Sequence, residues 1–567
     1  MKKADLLLKN ASVYSIGTDG KRTKAETVAV AEGVIAAIGS EAETKEYIGD
    51  ETQIIDCGGN TVLPGLCDAH CHASYSASAY AGCDLFGIYI QEDETDEDII
   101  RKYLDRLKKF VDEHPDNEMI RGTGWVEANF NKGRYPNRHD IDKICNDRPV
   151  VLEAFSQHTL WVNTKALEAA GIDENTPDVK TGAFWREESG YPNGIFKEAE
   201  AMSLVKEGVP GYDYTVEQYK DSLLYYQREY ANKYGVTLIQ DCWHSDNARE
   251  AYKQLAEEGR LTIRARGVYF LEPGNSDADL AAYIERKGQD DVDDLFKIET
   301  IKTFAEGTFA MCEPYCEEFL KVNDLPEDYN GPLFWKDDKL TEAVRKTMEA
   351  GMDLHIHAMG DLSVKQSVKC IAAGQDAAGR TGRNVVAHLM LIKPEDVRLM
   401  GQQNIIGNCQ PRWMVYDSDI KSMFDLIGEK RSLQAYPYRT FLDNDITVAF
   451  GTDFPVTPPP DTMHEIQCAM TRSVFPDAPD YRQFKGKVLG DEKPAALEEA
   501  VQSLSINGAY QMNLEDVTGS IEVGKSAEFA ILDSNIEKTS IDEIYAIKVA
   551  KTIFKGKVVY ENEKGGK

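Results

Sequence analysis

The stretch GLCDAHCHA, residues 65–73, follows the short apolar run TVLP and carries two histidines two positions apart. Successive side chains of a β-strand point to opposite faces, so His70 and His72 share a face and can reach one cation from the end of a strand. Two histidines at this spacing are weak evidence by themselves, since chance or structural histidines are more common than ligands. Their meaning depends on what other strands bring to the same end of the fold.

Apolar runs with the length of buried strands recur along the rest of the chain. TVLPGLCDAHCH at 61–72 is the first of eight, and the others are GVTLIQDCW at 235–243, LTIRARGVYF at 261–270, FKIETIKTFAEGTF at 296–309, MDLHIHAMGD at 352–361, NVVAHLML at 384–391, NIIGNCQP at 404–411 and ITVAFGTDFP at 446–455. Helix-like stretches such as residues 246–259 and 339–351 separate several of them. This alternation is typical of α/β proteins and predicts a (β/α)8 TIM barrel.

The two ends of the chain differ from this pattern, because they contain short strand-like runs bounded by Gly, Asp or Asn. We expect residues 1–61 and 515–567 to form one small β-sandwich, with the barrel at 62–514. Within the barrel, about 160 residues separate the first two strands, which predicts a large insertion at about 74–231. Because the insertion follows the carboxyl end of a strand, where barrel active sites lie, we expect it to cover or shape the site.

The composition excludes several functional classes. A formal net charge of −32 over 567 residues repels phosphate backbones and anionic lipids, so neither nucleic acid nor a membrane is an expected partner. The first residues are not expected to act as a signal peptide, because they lack a long apolar core and a small-residue cleavage site. The sequence has no run of 18 apolar residues, and its eleven cysteines follow no repeated spacing, as expected for free thiols in a reducing compartment. We expect a cytoplasmic protein that binds a small-molecule substrate, with a homo-oligomer left open.

Three further strand-like runs end on residues that bind metals. His357 ends MDLHIH, His388 ends NVVAH and Asp453 ends ITVAFGTD, so each is expected at the carboxyl rim of a different barrel strand. Imidazoles and a carboxylate at one rim form the donor set that zinc or a similar divalent ion prefers. His355 shares a strand face with His357 and is the alternative ligand, but His357 is nearer the rim and is the ligand we predict.

Lys302 lies in the fourth strand-like run, KIETIKTFAEG. Burial lowers the pKa of a lysine because desolvation disfavours its ammonium form, and the neutral amine can react with carbon dioxide. The carbamate that results is an anionic ligand able to bridge two metal ions, whereas an ammonium would repel them. Lys302 is therefore a candidate carboxylated lysine, with one or two divalent ions per chain.

The motifs HCH (70–72), IKTFAEG (301–307), HIHAMGD (355–361), AHLML (387–391) and GTDFPV (451–456) resemble, in this order, those of the metal-dependent amidohydrolase superfamily. More narrowly, the chain is similar to amidohydrolase family 3, the group of YtcJ-like and N-substituted formamide deformylase-like proteins. The resemblance covers almost the full length, and it includes GWVEANF (124–130), HTLWVNTKALEAAGI (158–172), GIFKEAE (194–200) and the closing GSIEVGKSAEFAILD (519–533).

The resemblance implies a role for each matched residue. One metal would be held by His70, His72 and Asp453, a second by His357 and His388, and carboxylated Lys302 would bridge them. The metals would bring a bridging water close to hydroxide at neutral pH, and Asp453 would accept its proton as general base. Protonated Asp453 would then protonate the leaving amine.

Two positions depart from the family pattern. Glu306 stands where a shorter Asp is usual, and QPRW at 410–413 replaces Gln-Pro-x-His, so a pocket histidine is missing. Residues near these and other family motifs are candidate substrate contacts, with packing or a surface ion pair as the alternative for each: Trp125, Glu127, His158, Gln410, Arg412 and Trp413.

The function that this set of residues predicts is metal-dependent hydrolysis of a C–N bond in an amide, an N-formyl compound or a cyclic amide. Deamination on the same fold is an alternative function, although the members of the superfamily that deaminate use one metal and lack the bridging lysine. Ester hydrolysis is a second alternative. A non-catalytic relative that keeps the barrel as a scaffold is the least favoured reading, because it need not retain all six metal-site positions.

Overall fold

The computed structural model of the chain describes residues 2–88, 93–130, 133–179, 182–273, 277–307, 309–457 and 459–562. The eight predicted runs supply the eight strands of one sheet. These strands are β1 (Leu66–Cys71), β2 (Val236–Asp241), β3 (Arg264–Phe270), β4 (Phe296–Phe304), β5 (Asp353–Ala358), β6 (Val385–His388), β7 (Ile406–Cys409) and β8 (Val448–Phe450). The predicted α/β barrel is confirmed.

The spatial order of the barrel strands is their order in the chain, and every paired neighbour is parallel. In register, Lys302 lies opposite His355, and Ala358 lies opposite His388. The residues after β8 close the circle onto β1, because the Asp453 amide donates to the His70 carbonyl at 2.8 Å. Consequently the carboxyl ends of all eight strands meet at one rim.

Helices connect the barrel strands, as the βα alternation requires. From β2 to β8 they span Asp246–Glu257, Asp277–Arg286, Glu317–Val322, Asp337–Glu349, Asp361–Ala378, Pro394–Gln402, Ser418–Ile427, Glu429–Ser432 and Tyr438–Leu442. After β8 they span Thr462–Thr471, Tyr481–Phe484, Leu497–Ser503 and Ile506–Gln511. No helix in the described part of the chain is long and apolar enough to cross a membrane.

Strands from both ends of the chain pair with one another. One sheet contains Ser12–Val13, Thr61–Pro64, Phe529–Leu532, Val549–Phe554 and Lys557–Glu561, and a second contains Val34–Gly39, Thr27–Ala31, Leu6–Lys9 and Gln53–Asp56. A short hairpin joins Ser15–Ile16 to Arg22–Thr23. Buried residues from both ends, among them Leu8, Val28 and Phe529, share one core. The predicted pairing of the two termini is thus visible in the register.

Between β1 and β2 the chain builds a separate compact unit, Ala73–Tyr225, which also takes in Ser245–Ala251. Its sheet orders the strands Cys83–Asp84, Ile120–Trp125, Val150–Ala154, Thr159–Val162, Pro192–Lys197 and Ala183–Arg186. Its helices are Ser76–Ala81, Asp96–Glu113, Arg138–Asp142, Thr164–Ala170, Ala199–Gly208 and Val216–Tyr226. The predicted role of this insertion over the site stays a prediction.

Candidate metal centre

Three of the predicted ligands converge at the carboxyl rim of the barrel. Ligand atoms of His70, His388 and Asp453 all lie within 4.8 Å of one another, and all three residues are buried. His70 Nε2 lies 3.3 Å from Asp453 Oδ1, and His72 Nε2 lies 3.0 Å from the same oxygen. One carboxylate therefore contacts both histidines of the HCH motif, although more than 380 positions separate them in the chain.

His357 lies next to His388. The two imidazole rings are 4.5 Å apart between centroids, in an edge-to-face arrangement. His357 is buried, as are the three converging residues. The five predicted histidine and aspartate ligands thus form one contiguous group at the rim.

The electrostatics of this group suit a divalent cation. Burial lowers the pKa of His70 well below its usual value, and burial lowers that of His388 to about 4, so both imidazoles keep a lone pair at neutral pH. Burial alone would raise the pKa of Asp453, but hydrogen bonds from His70 and His72 hold it well below its usual value. Neutral imidazoles beside an ionised carboxylate are the donor set that zinc prefers, so these residues fit the ion.

Lys302 is buried in β4, with 1% of its surface exposed. Its Nζ has no hydrogen-bond partner among the described residues. Burial lowers the pKa of the amine, against the opposing charges of Cys242 and Asp453. An unpartnered amine in this position is costly as an ammonium, and carboxylation followed by metal binding would remove that cost.

His70 has a second partner that the ligand prediction left out. Its Nδ1 lies 2.9 Å from Nε2 of His355. When Nε2 of His70 faces an ion, its Nδ1 carries the hydrogen and donates it to His355. His355, considered above only as an alternative ligand, is thus well placed to orient His70. Cys242, which follows β2, also lies within 4.8 Å of both histidines.

His388 is held from behind by Gln410. The Nδ1 of His388 lies 2.9 Å from Oε1 of Gln410, and Nε2 of Gln410 donates to Oδ1 of Asn408 at 3.0 Å. Gln410 is fully buried and uses both atoms of its amide in this way. This placement favours a positioning role for Gln410 over the predicted contact with substrate.

The hydrogen-bond chain behind Gln410 crosses the barrel interior. Asn408 Nδ2 donates to the carbonyl of Ala69 at 3.1 Å and to Oε1 of Gln511 at 3.1 Å. Gln511 Nε2 donates to the same carbonyl and to Oε1 of Gln240, both at 2.7 Å. A carbonyl oxygen only accepts, so it fixes the orientation of Asn408 and hence that of Gln410. This chain of hydrogen bonds therefore places the ring hydrogen of His388 on Nδ1 and leaves the lone pair of Nε2 for a metal.

Two of the converging residues adopt an unusual backbone conformation. His388 has φ 78° and Asp453 has φ 56°, both in the left-handed region. Such conformations cost about 1–3 kcal/mol each in a non-glycine residue, and they concentrate at functional sites. The strand ends are thus bent sharply where the ligands are presented.

Glu306, the longer residue in place of the usual Asp, reaches the turn after β5. Its carboxylate accepts hydrogen bonds from the amides of Ala310, Met359 and Gly360, the last at 2.9 Å. Burial raises its pKa to about 7. Since Met359 and Gly360 lie two and three positions after His357 in HAMGD, Glu306 fixes the turn that follows a predicted ligand.

The remaining candidate substrate contacts fall in different places. Trp413 stacks on His388 with centroids 5.3 Å apart and donates from Nε1 to Thr457 at 2.7 Å, so it lies beside the centre. Arg412 donates from Nη1 to the Pro459 carbonyl at 2.8 Å.

The other candidates belong to the insertion unit. Trp125 is completely buried in the core of that unit, which favours the packing alternative. His158 pairs with Glu198 at 2.9 Å, and Glu127 accepts hydrogen bonds from Ser156 and Thr159.

Comparisons with known proteins extend over nearly the whole chain. A model of the amidohydrolase family matches residues 53–560. The putative amidohydrolase YtcJ of Bacillus subtilis (strain 168) is 27% identical over 571 residues, which cover 97% of this chain and 98% of the relative. The N-substituted formamide deformylase of Arthrobacter pascens is 23% identical over 574 residues, 98% of each chain.

The fold also has relatives among solved structures. A crystal structure of an uncharacterized metal-dependent hydrolase from Pyrococcus furiosus matches with a TM-score of 0.67 and 23% identity, over 92% of this chain and 97% of that chain. At this level of identity the match establishes a common fold.

Proposed function

This chain belongs to the amidohydrolase family, hydrolases of carbon–nitrogen bonds, and we propose that it cleaves an amide, N-formyl or cyclic amide bond in a small molecule. The observation that carries the proposal is the convergence of His70, His388 and Asp453 within 4.8 Å at the barrel rim. His72 and His357 adjoin this group. The buried amine of Lys302 supports a bridging carbamate.

In the proposed centre, His70, His72 and Asp453 would hold one divalent ion, His357 and His388 would hold a second, and carboxylated Lys302 would be a ligand shared between them. The ions, with zinc favoured by the nitrogen-rich donor set, supply Lewis-acid activation of water and of the scissile carbonyl.

Asp453 is the proposed general base. Hydrogen bonds from the two histidines hold its pKa well below the usual value, so the carboxylate is ionised at neutral pH, which is the form that a general base requires. The oxygen of the attacking water bonds to the acyl carbon, and one proton moves to Asp453. The C–N bond then breaks, and Asp453 returns the proton to the leaving nitrogen, which gives an amine and a carboxylic acid.

The choice of substrate class draws on the relatives. One of them is named for the deformylation of N-substituted formamides, so formamides are the first compounds to assay. The buried Lys302 supports the amide reading over deamination, because the superfamily members that deaminate lack the bridging lysine.

The test is metal analysis of protein purified without chelators, coupled to assays on N-formyl, N-acyl and cyclic amides. We expect one or two equivalents of a divalent ion and release of an amine together with a carboxylate. Release of ammonia from an amino-substituted ring would instead indicate a deaminase, and turnover of esters alone would also contradict the proposal.

A further inference from the structure

Three aromatic side chains lie at the ends of three consecutive barrel strands. Phe270 is the last residue of β3, Phe304 is the last of β4, and Trp243 follows β2 by two positions. The rings of Trp243 and Phe270 stack with centroids 4.7 Å apart and planes inclined by 12°. Phe304 stands edge-on to both, at 5.8 Å and 5.5 Å. We call these three residues the aromatic cluster.

The aromatic cluster adjoins the candidate metal centre. The ring of Phe304 lies 4.7 Å from that of His357, and Nζ of Lys302 lies 5.4 Å from the centroid of Phe304. His357 and Lys302 are both proposed metal ligands. A substrate group resting on the cluster would therefore lie next to two of the proposed metal ligands.

The exposure of these rings separates them from ordinary core residues. All three are partly exposed, whereas other large aromatic residues of the barrel strands, such as Phe296 and Phe450, are completely buried. Clustered apolar side chains that remain accessible beside a group of polar ligands are a feature of small-molecule sites, whose walls are mostly apolar with a few fixed polar groups. Their inclined planes offer both stacking and edge-to-face contacts to a further ring.

We propose that the aromatic cluster is a substrate subsite that takes an aromatic ring carried by the amide. The inference rests on the proposed function, since it assigns a substrate class to that same centre. It predicts that the enzyme prefers amides with a phenyl group close to the scissile bond over amides with a small aliphatic group.

Binding can be tested without turnover, with product-like carboxylates. Benzoate and acetate share the carboxylate and differ in the ring, so the ratio of their affinities for the metal-loaded protein reports the subsite. We expect benzoate to bind at least about tenfold more tightly, as extra apolar groups in a fitted pocket do. Titration calorimetry or ligand-observed NMR measures both.

Alanine variants of the aromatic cluster test whether its rings cause the preference for benzoate. Phe270→Ala and Trp243→Ala should each lower the benzoate-to-acetate affinity ratio about tenfold, because each removes a face of the cluster. Phe424→Ala is the matched control, since Phe424 is a partly exposed ring that packs on Tyr416 outside the cluster. The ratio should be unchanged in this control.

Steady-state kinetics with two amides test the aromatic subsite and the proposed hydrolase function separately. N-methylbenzamide, whose acid product is benzoate, should have a kcat/KM about tenfold or more above that of N-methylacetamide, whose acid product is acetate, and Phe270→Ala should remove most of the difference. Turnover of both amides at similar kcat/KM, with equal affinity for benzoate and acetate, would overturn the subsite and leave the proposed function standing. A benzoate preference that depends on Phe270, in a protein that hydrolyses no C–N bond, would support the subsite and overturn the proposed function.

Discussion

Histidine can bind a metal through either ring nitrogen, and the partner of the other nitrogen decides which one is available. Gln410 fills that role for His388, and His355 fills it for His70. Each partner is completely buried and therefore has few alternative rotamers. Metal affinity in this centre should depend on these partners as well as on the ligands.

Gln410→Leu should weaken metal binding by about 10–100-fold, the usual effect of removing a group that orients a ligand. The ring of His388 would lose the acceptor that fixes its hydrogen on Nδ1. Competition with a chelator of known affinity measures the loss. Gln375→Leu is the matched control, because Gln375 is a buried glutamine outside the metal centre that donates to Gln403 and accepts from Asn384. Equal metal affinity in both variants would show that Gln410 does not act through His388.

Lys302→Met should have opposite effects on stability and on metal binding. Replacing a buried, unpartnered amine by an apolar side chain of similar length removes a desolvation cost, so the metal-free protein should become more stable by about 1–3 kcal/mol. The same variant should lose the bridging ligand and therefore at least one equivalent of metal. Its kcat/KM should fall by about 100-fold or more, the size of effect expected when one essential catalytic group is removed. Urea unfolding of the metal-free protein and metal analysis check the two effects. A variant with full metal content and turnover would refute the bridged centre.

At the scale of elements, the helix Thr462–Thr471 carries a buried acid. Glu465 is 1% exposed, its Oε2 accepts the amide hydrogen of Arg412 at 3.3 Å, and its Oε1 has no hydrogen-bond partner among the described residues. Burial raises its pKa from the ordinary value of 4.5 to about 8. The folded protein therefore holds this carboxyl in its neutral form over a pH range in which the unfolded chain ionises it.

Stability should consequently fall as pH rises from about 4.5 to about 8, compared with a Glu465→Gln variant. Below this window both states are protonated, and above it both are ionised. The free energy of unfolding should fall by at most about 1.4 kcal/mol per pH unit within this window. Urea unfolding of both proteins at pH 5, 6.5 and 8 measures the difference. A difference in stability that stays constant with pH would contradict a neutral buried Glu465.

The barrel strands themselves were predictable from sequence. Strands buried on both faces read as continuous apolar runs, and all eight predicted runs contain a strand. The conformation at their ends was not predictable, because left-handed residues such as His388 and Asp453 carry no local signal. The role of Glu306 was equally hidden, since its partners Met359 and Gly360 lie more than 50 positions away.

At the scale of the whole molecule, one buried ion pair joins the barrel to the strands of the chain termini. Arg264 at the start of β3 contacts Glu528, which precedes the strand Phe529–Leu532, and both side chains are almost completely buried. Arg264 also pairs with Asp294 at 2.7 Å. Glu528 accepts further hydrogen bonds from Thr237 and Thr518. The Glu528 carboxylate is thus contacted by Arg264 and by two threonine hydroxyls.

Glu528→Leu should destabilise the protein by about 3–5 kcal/mol, because it leaves the guanidinium of Arg264 buried with one partner fewer. The double variant Arg264→Leu/Glu528→Leu should lose less than the sum of the two single variants. Urea unfolding in a double-mutant cycle measures the coupling. Losses that add within about 0.5 kcal/mol would show that the two residues act independently.

The sequence by itself determined the number of barrel strands, the order of the ligand-bearing runs and the residue types that bind a metal. These features are local, since they depend on periodicity and on which residue ends each apolar run. Only the tertiary structure decided which atoms meet. Asp453 contacts both histidines of HCH, Gln511 joins the hydrogen-bond chain behind His388, and Phe304 of the aromatic cluster contacts His357. Those contacts depend on strand register and on closure of β8 onto β1, where Thr452 donates to Asp68 across 384 positions. Packing between distant segments sets such geometry, and no local pattern encodes it.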